Sequence, residues 1–244
     1  MFKKMYLPYI LLFVILFVSS SYGAPTSVIP CKADDTKCLI TATQRFYQKL
    51  LVGDKSLGVE PLEPMVLEEI DGTQTILKFK MTDTKATGFD KCQVKDVKHD
   101  KAQMSLVIKM SCPHLDIAGT YEMDGKLIVL PVQGKGKYSL AMDVYDSVLT
   151  LSYKIVTDDN GKQHLSIKSY QAEAVPIKGV KFNFENMFNG KKELASTVQK
   201  FANENWKEVT VQFQGPIIST AFKKLVKNAN KFLKAMAMDT VFLN

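Results

Sequence analysis

Apolar residues recur at every second position along most of this chain, and near Asn186 the period lengthens to three or four. Met104, Leu106, Ile108 and Met110 form one alternating row, with Ser105, Val107, Lys109 and Ser111 between them. Leu115, Ile117, Gly119, Tyr121 and Met123 form a second row. Tyr138, Leu140, Met142 and Val144 form a third, and Leu149, Leu151, Tyr153 and Ile155 a fourth. Such rows are the inward faces of half-buried strands. Beyond Asn186, Leu194, Val198, Phe201, Asn205/Trp206, Val209 and Phe213 mark one helical stripe. Ile218, Phe222, Leu225, Ala229, Phe232 and Met236 mark a second, with a break expected at Gly215-Pro216.

Turn chemistry punctuates the strands. Asp71-Gly72 is expected to separate strands at 65–70 and 75–81, and Asp124-Gly125 strands at 115–123 and 127–132. Asn160-Gly161 separates 149–156 from 164–170. Gly134 and Gly136 sit where a long strand can bend. An earlier helix is capped by Asp34-Asp35-Thr36, carries Leu39, Ala42, Phe46 and Leu50, and stops at Gly53. The segment from Gly58 to Pro64 reads as extended, because its prolines restrict themselves and the residues before them. Hairpins without βαβ alternation indicate an α+β fold and exclude a parallel nucleotide-type sheet. The first long helix, from Lys191 to Phe213, would span about 35 Å at 1.5 Å per residue. Burying helices of that length calls for a highly curved antiparallel sheet wrapped along them, with room left for an apolar guest.

The first residues stand apart from this pattern. Lys3 and Lys4 precede an apolar run over 10–18 and a small-x-small site at Ser21-Tyr22-Gly23, so residues 1–23 read as a signal peptide and 24–244 as one domain. A secreted chain with Cys31, Cys38, Cys92 and Cys112 is expected to hold them as disulfides. Three pairings are possible. Cys31 and Cys38 bracket a short acidic turn, while Cys92 and Cys112 flank a hairpin turning near Asp100-Lys101-Ala102, and this geometry favours the two local pairs. No Cys-x-x-Cys suggests redox chemistry, and no histidine lies at zinc-ligand spacing from a cysteine pair.

Charge and motif searches narrow the function classes. The formal charge of +7 includes the two leader lysines, and Arg45 is the only arginine, which argues against a nucleic-acid reader. No nucleophile elbow, H-E-x-x-H or P-loop is present. Asp158-Asp159 borders a hairpin turn and lacks the acidic residue that would close a calcium loop. Glu68 and Glu69 point to opposite faces of a strand, and His99, His114 and His164 fall on turns or polar edges. Neither a metal nor a cofactor is expected, and the chain reads as a binding protein. A membrane-surface alternative rests on Lys223, Lys224, Lys227, Lys231 and Lys234 beside the last apolar stripe, although a packed helix with a solvated face has the same pattern.

Several fragments, in order, carry a resemblance. They are Cys31-Lys32 … Lys37-Cys38-Leu39, then Leu57-Gly58-Val59 … Leu62-Glu63-Pro64, then Gly119-Thr120-Tyr121 … Gly125-Lys126-Leu127 … Leu130-Pro131-Val132-Gln133-Gly134-Lys135-Gly136. Asn186-Met187-Phe188-Asn189-Gly190 … Asn203-Glu204-Asn205-Trp206-Lys207 completes the set. Over essentially the whole mature chain the sequence resembles the insect takeout/juvenile-hormone-binding-protein family. The resemblance implies a lipid-binding fold of the bactericidal-permeability-increasing kind, a long helix wrapped by a curved sheet around an apolar tunnel. It also implies a secreted, monomeric carrier of a small hydrophobic ligand (juvenile hormone, a terpenoid or a fatty acid) in haemolymph or another extracellular fluid. Feeding, circadian and chemosensory physiology go with the takeout branch. The Cys31–Cys38 bridge carries over. The lack of cysteines after Cys112 departs from the haemolymph hormone carriers and favours the takeout-like branch.

Residues with reach or softness on the inward rows are the candidate ligand contacts. They are Met104, Met110, Tyr121, Met123, Tyr138 and Met142 from the sheet, and Val198, Phe201, Val209, Phe213 and Phe222 from the helices. The same spacing serves ordinary core packing.

Overall fold

The computed structural model describes residues 30–73 and 76–241, so the expected leader lies outside the described residues. Helix α1 (Thr36–Val52) begins as its sequence dictates, with the Asp35 carboxylate accepting from the Cys38 N–H at 3.0 Å. It ends at Gly53, whose φ of 76° and close approach to Val59 and Pro61 suit a residue without Cβ. Six strands follow, β1 (Met65–Thr73), β2 (Leu77–Thr87), β3 (Gln93–Asp100), β4 (Ser105–Leu127), β5 (Leu130–Thr157) and β6 (Gln163–Phe184). The chain closes with helices α2 (Lys192–Glu204) and α3 (Trp206–Ala235).

The strands form one antiparallel sheet in the order β1-β2-β4-β5-β6, with β3 added beside β4. β3 pairs with the first half of β4 and β2 with the second, so β3 and β2 lie end to end along one side of it. Helix α3 contacts both β1 and β6, the two ends of the strand order, so the sheet wraps around it. Bulges in β2, β3, β5 and β6 supply the bending.

Two rows expected as separate strands are continuous in β4, and two more in β5. The inward face changes parity within each strand. In β4 the change falls at Pro113, between buried Cys112 and buried Leu115. In β5 it falls at Val144, where φ is 49° and the register with β6 shifts. β6 likewise runs on to Phe184, well past residue 170.

Two expected turns are corrected. Asp71 and Gly72 lie inside β1, and Gly72 is there for space: a Cβ would sit 2.0 Å from the ring of Phe79, its cross-strand partner. Asp124-Gly125 lies inside β4, and the chain reverses later, at Ile128 and Val129. Gly125 is needed all the same, because its φ is 130° and a Cβ would meet the Ile76 carbonyl at 2.3 Å. The turn around Asn160-Gly161 falls as expected, with the Asp158 carboxylate accepting from the N–H groups of Asn160 and Lys162. Gly134 and Gly136 let the chain after β6 cross β5, since side chains there would strike Met187 and Glu185.

The helical break is also displaced. Pro216 lies inside a continuous α3, and the interruption comes at Asn205 (φ −111°, ψ 38°). A proline removes one helical hydrogen bond, but packing against the sheet on both sides of it holds the helix together. Leu194, first of the expected stripe, is 50% exposed, and the inward face of α2 begins instead with half-buried Ala195 and buried Val198.

Side-chain amides from the helices satisfy the outer backbone of β6. Asn230 accepts from the Ile167 N–H at 2.7 Å and donates to the same residue's carbonyl. Asn203 accepts from the Phe182 N–H, and the Gln199 amide accepts from the Phe184 N–H. Two of the α3 lysines are also structural. Lys224 bonds the Glu60 carboxylate at 2.7 Å and the Val66 carbonyl at 2.9 Å, and Lys231 donates to the Gly58 carbonyl. Lys223, Lys227 and Lys234 remain exposed.

Both local disulfides are present, Cys31–Cys38 with Cα atoms 5.7 Å apart and Cys92–Cys112 with Cα atoms 4.1 Å apart.

Candidate ligand-binding cavity

The space enclosed by these elements is at the end where α1 covers the sheet. A cavity of about 120 Å³ lies there between α1, the start of β4, the end of β5, the start of β6 and the end of α3. Its walls are almost wholly apolar. Helix α1 contributes Leu39, Ala42 and Phe46; the sheet contributes Leu106, Ile108, Leu151, Leu165 and Ile167; Leu233 and Met236 close it from α3. Aliphatic side chains and Ala42, set beside the rings of Phe46 and Tyr153, leave a gap that a further large ring would fill.

Polar groups hold the rim in place. The Tyr153 hydroxyl and His99 Nε2 are 2.6 Å apart, and Tyr153 lines the cavity. Burial lowers the His99 pKa and raises that of Tyr153. His164 Nδ1 donates to the Met236 carbonyl at 2.8 Å, while its Nε2 lies 3.0 Å from the Asp158 carboxylate. The Asp158 carboxyl is held below its usual range by that His164 bond and by the Lys162 and Asn160 N–H groups. The acidic hairpin turn thus positions the histidine that fixes the end of α3, and with it one wall of the cavity.

Most of the sequence-predicted contacts lie elsewhere. Tyr121, Met123, Tyr138, Met142, Val198, Val209 and Phe213 are buried together in the main core. Aromatic rings pack that region densely, with Phe79–Phe213 and Tyr121–Phe184 centroids each 5.0 Å apart. Tyr121 and Tyr138 there already have partners. Tyr121 donates to the Glu185 carbonyl at 2.8 Å, and the Tyr138 and Thr84 hydroxyls are 2.7 Å apart. Burial pushes both phenols up to about 12. Phe201 and Phe222 are half-buried. Met110 is half-buried and packs against both the main core and the smaller cluster beneath α1. Met104 is a correction: it lies in the β3–β4 turn with φ 49° and is 41% exposed, so it faces the surface and not the cavity beneath α1.

Sequence reasoning therefore brought together the right core but missed the cavity. The missed residues stood in rows already visible, Leu106 and Ile108 in one, Leu151 and Tyr153 in another, and Leu39, Ala42 and Phe46 on the first helix. Favouring large, soft side chains selected residues that fill space, whereas this cavity exists where side chains are smaller. Among the described residues, no cluster of three or more His, Cys, Asp or Glu side chains is placed to hold a metal ion.

Comparison with known proteins agrees with this architecture. The sequence model of the family described as haemolymph juvenile hormone binding protein matches residues 10–243. The circadian clock-controlled protein daywake of Drosophila melanogaster is 28% identical over 225 residues, covering 86% of each chain. The juvenile hormone-binding protein of Manduca sexta is 23% identical, over 64% of this chain and 69% of its own. The crystal structure of Takeout 1 from Epiphyas postvittana superimposes with a TM-score of 0.85 at 27% identity, covering 89% of this chain and 100% of that one.

Proposed function

This chain belongs to the haemolymph juvenile hormone binding protein family, and from that premise we propose that it is a secreted carrier holding a small hydrophobic ligand in the apolar cavity beneath α1. The observation that carries the proposal is the cavity itself, an unfilled apolar space of about 120 Å³ between α1, the sheet and the end of α3. Dry apolar cavities of about 150 Å³ take up benzene-sized guests, so this one accommodates a ring or the end of a chain. The rest of a terpenoid or fatty-acyl ligand would follow the half-buried layer between the sheet and α3, where Met110, Ala221 and Leu225 lie. Apolar ligand surface leaving water contributes about 25 cal/mol per Å², enough to drive capture without catalysis.

Two disulfides support extracellular residence. The Manduca relative is by name a juvenile hormone binder, which supports a terpenoid-like ligand class. Similarity to daywake and Takeout 1 supports the takeout-like branch and a clock-linked role.

The test is titration of an apolar fluorescent probe into the purified protein and into Ala42→Phe, which fills the cavity from α1. Wild type is expected to bind saturably at one probe per chain, and the variant about tenfold more weakly or worse. Equal binding by both proteins would put the ligand elsewhere. Mass spectrometry of an organic extract, against a host-cell blank, identifies what the wild type carries from its source.

A further inference from the structure

Farther along α3, between Thr210 and Ile217, the helix faces a second and much smaller space of about 30 Å³. Its walls are apolar on most sides, with Ile117, Leu140, Met142 and Phe182 from the sheet and Phe213 from the helix. Three polar side chains interrupt them: Thr210, Gln214 and Tyr145.

The hydrogen bonds around these three are incomplete. Gln214 Oε1 is buried with no partner among the described residues. Thr210 spends its proton on the Trp206 carbonyl at 2.7 Å, so its oxygen can still accept. The Tyr145 hydroxyl makes no hydrogen bond among the described residues, and burial alone pushes its pKa up to about 12. Leaving a buried amide oxygen without a donor costs stability. A leucine at position 214 would avoid that cost in an interface meant only to pack. The volume is also specific. At about 30 Å³ it has room for a water or a hydroxyl and is too small for a ring or a branched chain.

The small space and the cavity beneath α1 lie in the same layer. Ile217 borders one and Leu233 the other, about 24 Å apart along α3 at 1.5 Å per residue. Half-buried Ala221, Leu225 and Met110 lie between them. A ligand spanning this layer would be long and apolar, with one small polar end.

We propose that Gln214, with Tyr145 and Thr210, recognises a hydroxyl group at the end of a long apolar ligand whose tail reaches the cavity beneath α1. The proposal rests on the carrier reading and names the ligand class for it. The ligand hydroxyl donates to Gln214 Oε1 and accepts from Tyr145. A long-chain or isoprenoid alcohol satisfies both groups. An ester or an ether of the same length can only accept, and leaves the amide oxygen unpaired.

The test measures displacement of the apolar probe by octadecanol and by octadecyl methyl ether, in wild type, Gln214→Leu and Tyr145→Phe. Wild type is expected to prefer the alcohol about tenfold, as one buried hydrogen bond predicts. Gln214→Leu should abolish the preference while keeping affinity for the ether, and Tyr145→Phe should weaken both compounds about equally, because the ether oxygen also accepts from that hydroxyl. The two variants are independent, so a folding defect in one leaves the other to decide. Equal affinities in wild type, as expected if the space holds only a water, overturn the proposal. A preference that survives Gln214→Leu, or affinities untouched by Tyr145→Phe, also overturns it. If the probe binds saturably but neither compound displaces it, this subsite falls and the carrier reading stands. If the probe itself does not bind, both fall.

Discussion

The two ends of the layer between sheet and helix are built from different side chains. At one end Phe79, Tyr121, Tyr138, Phe182, Phe184 and Phe213 interlock, and the tyrosine hydroxyls are spent on protein partners. At the other, alanine and branched aliphatic residues line a cavity whose polar groups stand at its rim. The aromatic end holds the wrapped sheet together. The aliphatic end leaves space. Open space in this fold thus comes from local under-filling, and the packed end supplies the stability that lets the other end remain open.

The comparison can be broken most forcefully at the packed end. Phe213→Ala removes a ring in contact with Phe79, Phe182 and Phe184, and should lower unfolding free energy by about 3–5 kcal/mol in urea titration. Probe binding should persist in the fraction that stays folded. Replacing Cys92 and Cys112 together by alanine opens a link between residues 20 apart, with an expected loss of about 3 kcal/mol by the same measurement. Ala42→Phe reverses the pattern: binding falls, while stability should stay within about 1.5 kcal/mol of wild type because the added ring enters existing space. A variant pair in which binding and stability fell together would dissolve the distinction between the ends.

The smallest effect is one of pH. Burial lowers the His99 pKa below its ordinary 6.5, Asp100 and Lys101 acting in opposite directions on it. Between the lowered value and 6.5 the unfolded chain binds more protons, so stability from this group is present above 6.5 and lost as pH falls. His114 behaves oppositely. Its hydrogen bonds to Asp143 and Asp116 raise its pKa, so its contribution is present at low pH and lost as pH rises through the raised value. Hydrogen-exchange protection, corrected for the intrinsic pH dependence of exchange, should therefore fall below pH 6.5 around Tyr153 before it does around Phe213. His99→Gln should remove that difference.

Period and turn residues made much of this legible. The change of period near Asn186 separated sheet from helices, and Asp35, Gly53 and Asn160-Gly161 marked ends that the structure keeps. Other signals misled for identifiable reasons. Gly72 and Gly125 look like turn residues, yet one yields to a phenylalanine ring and the other to a neighbouring backbone, which are long-range demands. Pro216 looks like a break, but packing on a wrapped sheet overrides local propensity. The cavity was least legible, because an absence of atoms depends on how several elements meet, and no single residue announces it.

The amide contacts along β6 bear on behaviour at high concentration. An edge strand of this length offers a row of donors and acceptors to which another chain can add. Asn230 occupies that row near one end, and Asn203 and Gln199 occupy it near the other. Between them Pro176 has no N–H to offer, and exposed Lys168 and Lys178 set like charges on the approach. The helices that line the sheet thus also stand in for a missing neighbour strand, and the long free edge of β6 is covered against pairing with another chain.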